Sequence, residues 1–384
     1  MAAVTLPCVL HVIRPQPPGE VGGADLHIAD LAEEQNRSGA RAVVCHYGNP
    51  EYGALLDARG IENLGVPADG LRRWTRRLRA YVHDIGPTLV HSHGYDADYV
   101  ATAVKLTAGP RAGAFPPYVI SGHGFIRTGV RLRAMTLLNE RCLRFADAII
   151  TAGAAEAARL RSLGHADVQY VANGVRPAPD SASSHLTDEL PLPPEGPKVV
   201  YVGRLSPEKR PDLFLGAART LTRERADVSF AVIGAGPLLT EYEKRSADLG
   251  LATRVHFTGL RRDVPALLAG ADVLVCCSDT EGTPRAVVEG MAAGLPVVAT
   301  RVGGLPDLVD DGTTGLLTDA GSESQLTDAV RSLLEAPEKA REMGAAGRLR
   351  AMENFGVARM WAEISEVYAR ATSATWPFAA SHSR

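Results

Sequence analysis

Short apolar runs rich in valine and isoleucine recur along the whole chain, separated by longer stretches with helical periodicity. In the first half they are Cys8–Ile13, Ala42–His46, Leu89–His91, Tyr118–Ser121, Ala148–Thr151 and Val168–Val171. In the second they are Val199–Val202, Ser229–Ile233, Val255–Phe257, Val273–Cys276, Val297–Ala299 and Gly315–Leu317. A strand that is apolar on both faces must be covered on both, and alternation with helices supplies the cover. The pattern predicts doubly wound α/β architecture with parallel sheets. A proline-rich stretch from Arg176 to Pro197 has no periodicity and reads as an interdomain connection. Because the strand series restarts at Lys198, each half is expected to have its own sheet. The length, 384 residues, agrees with two domains at ~150 residues each. Helical patterns near Ser324–Leu334 and Met360–Ala369 close the chain, and Thr372 to Arg384 reads as a loose tail.

The net charge of −3, with both signs mixed, gives no global reason to expect nucleic-acid binding. No apolar stretch approaches the ~20 residues of a membrane helix, and the start of the chain reads as a first strand rather than a secretory signal. The five cysteines are odd in number and lack Cys-x-x-Cys spacing. Four of them, Cys8, Cys45, Cys276 and Cys277, lie in strand-like runs, so reduced buried thiols and a cytoplasmic location are expected.

Ligands of open parallel sheets bind beyond the carboxyl ends of the strands, and the informative residues sit there. Gly22-Gly23 follow the first strand and precede a helical run, where backbone N–H groups can meet an anion. The absence of Gly-x-Gly-x-x-Gly argues against a nicotinamide or flavin dehydrogenase. Arg204 and Lys209, five residues apart after Val199–Val202, suit a diphosphate: arginine grips two oxygens and lysine adds a point charge. After Val273–Cys276 comes Asp279 to Pro296, which contains Glu281 and Glu289. Thr283 is expected as N-cap and Pro284 as first helical residue, with Glu281 before the helix and Glu289 about one and a half turns inside it. The amides of Gly282, Thr283 and Arg285 could then hold an anion. Glu289 lies in an otherwise small and apolar stretch and needs a hydrogen-bonding partner, which ribose hydroxyls would supply.

His123, between Gly122 and Gly124 at a strand's carboxyl end, is placed to reach a ligand. His91 and His93 suggest metal only superficially, because no third ligand is visible in sequence; His93 reads as a structural or acceptor-side residue. Asp96-Ala97-Asp98 reads as a helix start and not as a metal motif. Arg72, Arg73, Arg76, Arg77 and Arg79 with Trp74 form a basic helical segment that reads as a solvated face, with weak contact to an anionic membrane surface as the alternative.

In order and spacing these segments resemble glycosyltransferase family 4, retaining enzymes of the two-Rossmann, or GT-B, architecture. The likeness runs through Gly22-Gly23, Val90 to Gly94, His123-Gly124, Val171 to Val175, Gly203 to Lys209, the Glu-x7-Glu pair Glu281/Glu289, and Pro296 to Gly304 continuing to Asp311–Gly315. It implies two Rossmann-like domains facing across a cleft: 1–175 for the acceptor, 176–197 as linker, 198–355 for the donor, and 356–384 as a helix crossing back with a tail. It implies that Arg204 and Lys209 hold the donor diphosphate, that Glu289 binds ribose, and that Glu281 contacts the transferred sugar, helped by the backbone of the donor-binding segment Gly282, Thr283, Pro284 and Arg285. Gly22 and Gly23 would approach phosphates or acceptor, His123 would lie near the sugar's reacting face, and Gly234 and Leu260 near the base. The expected donor is a nucleotide diphosphate sugar, most often UDP-linked, with no metal or other cofactor, and the acceptor a hydroxyl of a glycan, lipid or small molecule. A sugar-nucleotide epimerase and a catalytically silent nucleotide-sugar-binding subunit are the alternatives. Loss of the carboxylates or cations would mark the silent subunit, and all are present.

Overall fold

The computed structural model describes residues 6–18, 20–108, 115–122, 130–165, 167–176, 192 and 195–377. They divide into two compact units, residues 1–174 with 357–384, and residues 175–356. Most of the expected connection, 177–191 and 193–194, lies outside the described residues.

The first unit is a seven-stranded sheet with order β3-β2-β1-β4-β5-β6-β7. Its strands are β1 (Cys8–Ile13), β2 (Arg41–Tyr47), β3 (Glu62–Val66), β4 (Leu89–His93), β5 (Tyr118–Gly122), β6 (Ala148–Thr151) and β7 (Val168–Tyr170). Every pairing is parallel. In β1 the period of two is visible in the packing. Cys8, Leu10 and Val12 join the cluster containing Trp74, Leu78, Val100 and Val104, while Val9 joins the opposite one with Leu31, Trp361 and Tyr368. The sequence pattern misses β3 because Glu-Asn-Leu-Gly-Val is a half-exposed edge without a β-branched run.

The second unit repeats the plan with six parallel strands, order β10-β9-β8-β11-β12-β13. They are β8 (Lys198–Val202), β9 (Ser229–Ile233), β10 (Val255–Gly259), β11 (Val273–Cys276), β12 (Val297–Thr300) and β13 (Gly315–Thr318). Helix Arg285–Ala292 lies tight on β11: a Cβ at Gly290 would come within 2.3 Å of Leu274 Cδ2.

Helix Val357–Thr372 belongs to the first unit and buries Met360, Trp361, Ile364, Val367 and Tyr368 against its sheet. The segment after it is not wholly loose. Trp376 is 2% exposed, meets Trp361 and Tyr368 edge-on, and donates its indole N–H to Thr372 Oγ1 at 3.0 Å. The basic segment is helix Leu71–Ile85, with Trp74 buried and stacked on Tyr47 at 4.7 Å between centroids. Its tryptophan is therefore core and not surface. Asp96 and Asp98 fall in the first turn of helix Tyr95–Thr107, as the spacing predicts. All five cysteines are free thiols. Among the described residues no helix is long and apolar enough to cross a membrane.

Asp98 is buried, accepting from Ser92 Oγ at 2.5 Å and Asn139 Nδ2 at 2.6 Å. Burial raises its pKa from 3.8 to about 7 against those two hydrogen bonds. Between these values the folded chain keeps a proton that the unfolded chain has released, so stability falls as pH rises, and the cost is complete above about 7. Asp98→Asn removes the titrating group. Urea midpoints of wild type and variant should diverge between acidic and neutral pH, wild type losing on the order of 2–4 kcal/mol relative to the variant.

Candidate donor-binding and acceptor-side site

A parallel sheet leaves a crevice where neighbouring strands connect to opposite sides, and in the second unit that point lies between β8 and β11. The loops leaving these strands carry Arg204, Lys209 and Glu281. Arg204 is exposed, and its carbonyl accepts from Tyr201 Oη at 3.2 Å. Lys209 Nζ donates to Glu281 Oε1 at 2.6 Å, the two side chains being 26% and 8% exposed. Burial works against the ammonium, but the Glu281 charge and hydrogen bond hold the Lys209 pKa above its ordinary value. Lys209 thus keeps its charge throughout the neutral range.

Neighbouring groups fix both partners. Ser278 Oγ donates to Glu281 Oε1 at 2.6 Å, and Gly304 N–H donates to the Glu281 carbonyl at 3.2 Å. The Cys277 thiol donates to the Arg210 carbonyl at 3.1 Å. Arg210 holds a left-handed φ of 50° and pairs with Asp212 and Asp279, so this cation is committed to the loop's own shape.

The helix after Glu281 differs from expectation in its start. Pro284, with an extended ψ of 117°, is the N-cap, and the helix begins at Arg285. The Pro284 carbonyl takes the first hydrogen bonds, from Val287 at 3.0 Å and Val288 at 3.3 Å. Thr283, expected to cap, is instead a buried loop residue. Glu289 therefore stands one turn inside the helix, and its partner is protein: Arg285 Nε donates to Glu289 Oε1 at 2.6 Å. A charged neighbour four residues back offsets the cost of burial that seemed to require a ligand.

Gly234, φ +138°, abuts protein as well, since a Cβ there would lie 2.0 Å from the Gly203 carbonyl. Leu260, following β10, is 41% exposed.

In the first unit the corresponding reversal lies between β1 and β4. Gly22 caps helix Gly23–Arg37, and its N–H donates to Asp25 Oδ2 at 2.7 Å. The Gln16 N–H donates to the same oxygen at 3.3 Å. Burial pushes Asp25 up to about 6 against these bonds. Asn49 Nδ2 donates to the carbonyls of Gln16 and Glu20 at 2.8 Å each, so side chains hold the glycine loop in shape.

His93 sits at the end of β4, buried, with Nε2 3.0 Å from His11 Nδ1. β1 and β4 place His11 opposite His91, which supplies in space the third imidazole that spacing alone did not reveal. One nitrogen from each ring lies within 4.8 Å of the others. Hydrogen bonds occupy both nitrogens of His11 and His91 and Nε2 of His93, however. Gln35 Oε1 meets His11 Nε2 at 2.8 Å, Tyr368 Oη meets His91 Nδ1 at 2.6 Å, and Ser121 Oγ meets His91 Nε2 at 2.7 Å. Burial lowers the His11 pKa to about 4, so its ring is neutral: Nε2–H donates to Gln35, and Nδ1 accepts from His93 Nε2–H. A metal ion would have to break this satisfied network. His123 lies outside the described residues.

Sequence reasoning assigned no role to Ser278, Asp25 or His11. The signal for Ser278 was its place three residues before Glu281, whereas His11 needed the strand pairing.

The fold places the chain in the GT-B class. Its structure is similar to that of HepE from Anabaena in complex with UDP-glucose, with a TM-score of 0.82 at 23% identity over 94% of this chain and 99% of that one. Residues 21–179 match the model described as Glycosyltransferase Family 4, and residues 185–350 the one described as Glycosyl transferases group 1. The chain is 30% identical to alpha-maltose-1-phosphate synthase of Mycobacterium tuberculosis over 93% of its length and 97% of that protein. It is 38% identical over 180 residues to the GDP-mannose-dependent alpha-(1-6)-phosphatidylinositol monomannoside mannosyltransferase of Mycolicibacterium smegmatis, a match spanning 44% of this chain and only 47% of that relative. The chain belongs to glycosyltransferase family 4.

Gly303 has φ +53°, and a Cβ there would sit 1.8 Å from the Glu281 carbonyl oxygen. Gly303→Ala should therefore displace the Glu281 segment, lowering stability by about 1–3 kcal/mol in a urea titration and weakening binding of nucleotide sugars.

Proposed function

We propose that this chain is a retaining glycosyltransferase that moves a hexose-type sugar from a nucleotide diphosphate donor to an acceptor hydroxyl without a metal ion. One observation carries the reading: the Lys209–Glu281 pair, 2.6 Å apart, at the strand reversal of the second unit, with exposed Arg204 on the same loop. It joins a cation suited to phosphate with a carboxylate suited to sugar hydroxyls. The mannosyltransferase relative is GDP-mannose-dependent by name, and HepE was crystallised with UDP-glucose. Those names support the donor class and leave the base to experiment, UDP being the family expectation.

Lys209 has three N–H donors. One on Glu281 leaves the others for diphosphate oxygens, while Arg204 offers a planar fork. As the bond between the anomeric carbon and the phosphate oxygen breaks, negative charge grows on the diphosphate. Arg204, Lys209 and the amides of Gly282, Thr283 and Arg285 stabilise it. The acceptor oxygen bonds to the anomeric carbon from the leaving-group face, and its proton passes to the departing phosphate oxygen. Glu281 accepts from the transferred sugar, and Glu289, held by Arg285, from the ribose. Gly234 and Leu260 serve the base, Gly22 and Gly23 the donor phosphates or the acceptor, and His93 and His123 the acceptor side.

A panel of nucleotide sugars tested by thermal shift and nucleotide release identifies the donor, since a ligand bound only by the folded state raises the melting temperature. With that donor, Arg204→Ala should lower turnover about 10- to 100-fold through loss of a charge-assisted contact. Lys209→Ala should lower it further, since it also leaves the Glu281 charge unpaired. Unchanged turnover in both variants would remove the assignment.

A further inference from the structure

Among the described residues, every side chain that hydrogen-bonds to the Glu281 carboxylate reaches the same oxygen. Lys209 Nζ at 2.6 Å, Ser278 Oγ at 2.6 Å and Cys276 Sγ at 3.8 Å all donate to Oε1. Oε2 receives no hydrogen bond among the described residues, although the side chain is only 8% exposed. Oε2 is not sealed from solvent, so its accepting capacity is open to a ligand hydroxyl that takes the place of water there.

The donors on Oε1 are not equivalent. Lys209 is a long, flexible side chain whose ammonium an arriving diphosphate also attracts. The Cys276 thiol is a weak donor, kept protonated at neutral pH because burial pushes its pKa up to about 12. Ser278 is short and 2% exposed, and its backbone is fixed by Thr300 Oγ1, which donates to the Ser278 carbonyl at 2.6 Å. Its hydroxyl keeps its grip whatever the lysine does.

We propose that Ser278 is a positioning residue for the donor's sugar: by pinning Oε1 it turns Oε2 of Glu281 toward a sugar hydroxyl while touching no substrate itself. The inference rests on the reading of Glu281 as the sugar-binding carboxylate. It has a consequence that a merely structural serine would lack. The sugar half of the donor should sense residue 278, and the nucleotide half should not.

The test measures binding of UDP, GDP, UDP-glucose and GDP-mannose to the full chain by calorimetry, with nucleotide release as the rate. For the sugar nucleotide that binds, Ser278→Ala should weaken affinity about 5- to 20-fold and slow release about 10-fold, the scale of one hydrogen bond to a charged group. Affinity for the matching nucleoside diphosphate should stay within about 2-fold. Ser278→Cys, which keeps the size and a weak donor, should fall between wild type and Ser278→Ala; it carries the same comparison if the alanine variant does not fold. Equal losses for nucleotide and nucleotide sugar would overturn the proposal by making Ser278 a structural residue. Unchanged sugar-nucleotide affinity in Ser278→Ala, with binding lost in Glu281→Ala, would overturn it and spare the reading of Glu281. If Glu281→Ala also changes nothing, that reading falls, and the role of Ser278 with it.

Discussion

The contact between Lys209 and Glu281 ties together the ends of two strands that leave their sheet in opposite directions. Taking both charges out of water costs several kcal/mol each, and their mutual attraction offsets this only with supporting hydrogen bonds. Ser278 supplies one to the carboxylate, while the Cys277 thiol and the Gly304 amide fix the backbones on either side. Glycine is required at 303 because its neighbour is the carbonyl of Glu281 itself. Much of the loop chemistry in the second unit thus serves to hold one ammonium and one carboxylate in place.

The first unit has a network of hydrogen-bonded side chains at its reversal point. Its reversal point is lined by imidazoles, an amide, a phenol and a hydroxyl whose donors and acceptors match in one direction around the network. Neutral polar groups cost less to bury than ions and are satisfied by single hydrogen bonds.

Much of this was legible in the chain because buried parallel strands must be apolar on both faces. The runs Cys8–Ile13, Ala148–Thr151, Ser229–Ile233 and Val273–Cys276 coincide with strands end to end. β3 was hidden because an edge strand with one solvated face carries no such run. The segments around Lys209 and Glu281 could be found because they follow strands directly. Their partners were harder to see. Arg285 opposite Glu289 is a spacing of four that becomes informative only once the helix start is known, and Thr283-Pro284 pointed to a start one residue too early. His11 joins His91 and His93 through sheet register, which no local pattern encodes.

Helix Val357–Thr372 packs on the unit whose first strand begins at Cys8, although the whole second unit intervenes in the chain. During synthesis, the face formed by Val9, Leu31, Val119 and Ala148 therefore emerges long before Trp361 and Tyr368 exist to cover it. At ~5–20 residues per second the gap lasts on the order of tens of seconds. Throughout that interval the nascent amino-terminal half displays an oily sheet face and an unfinished polar ring, so its maturation is bound to the ribosome reaching the final helix.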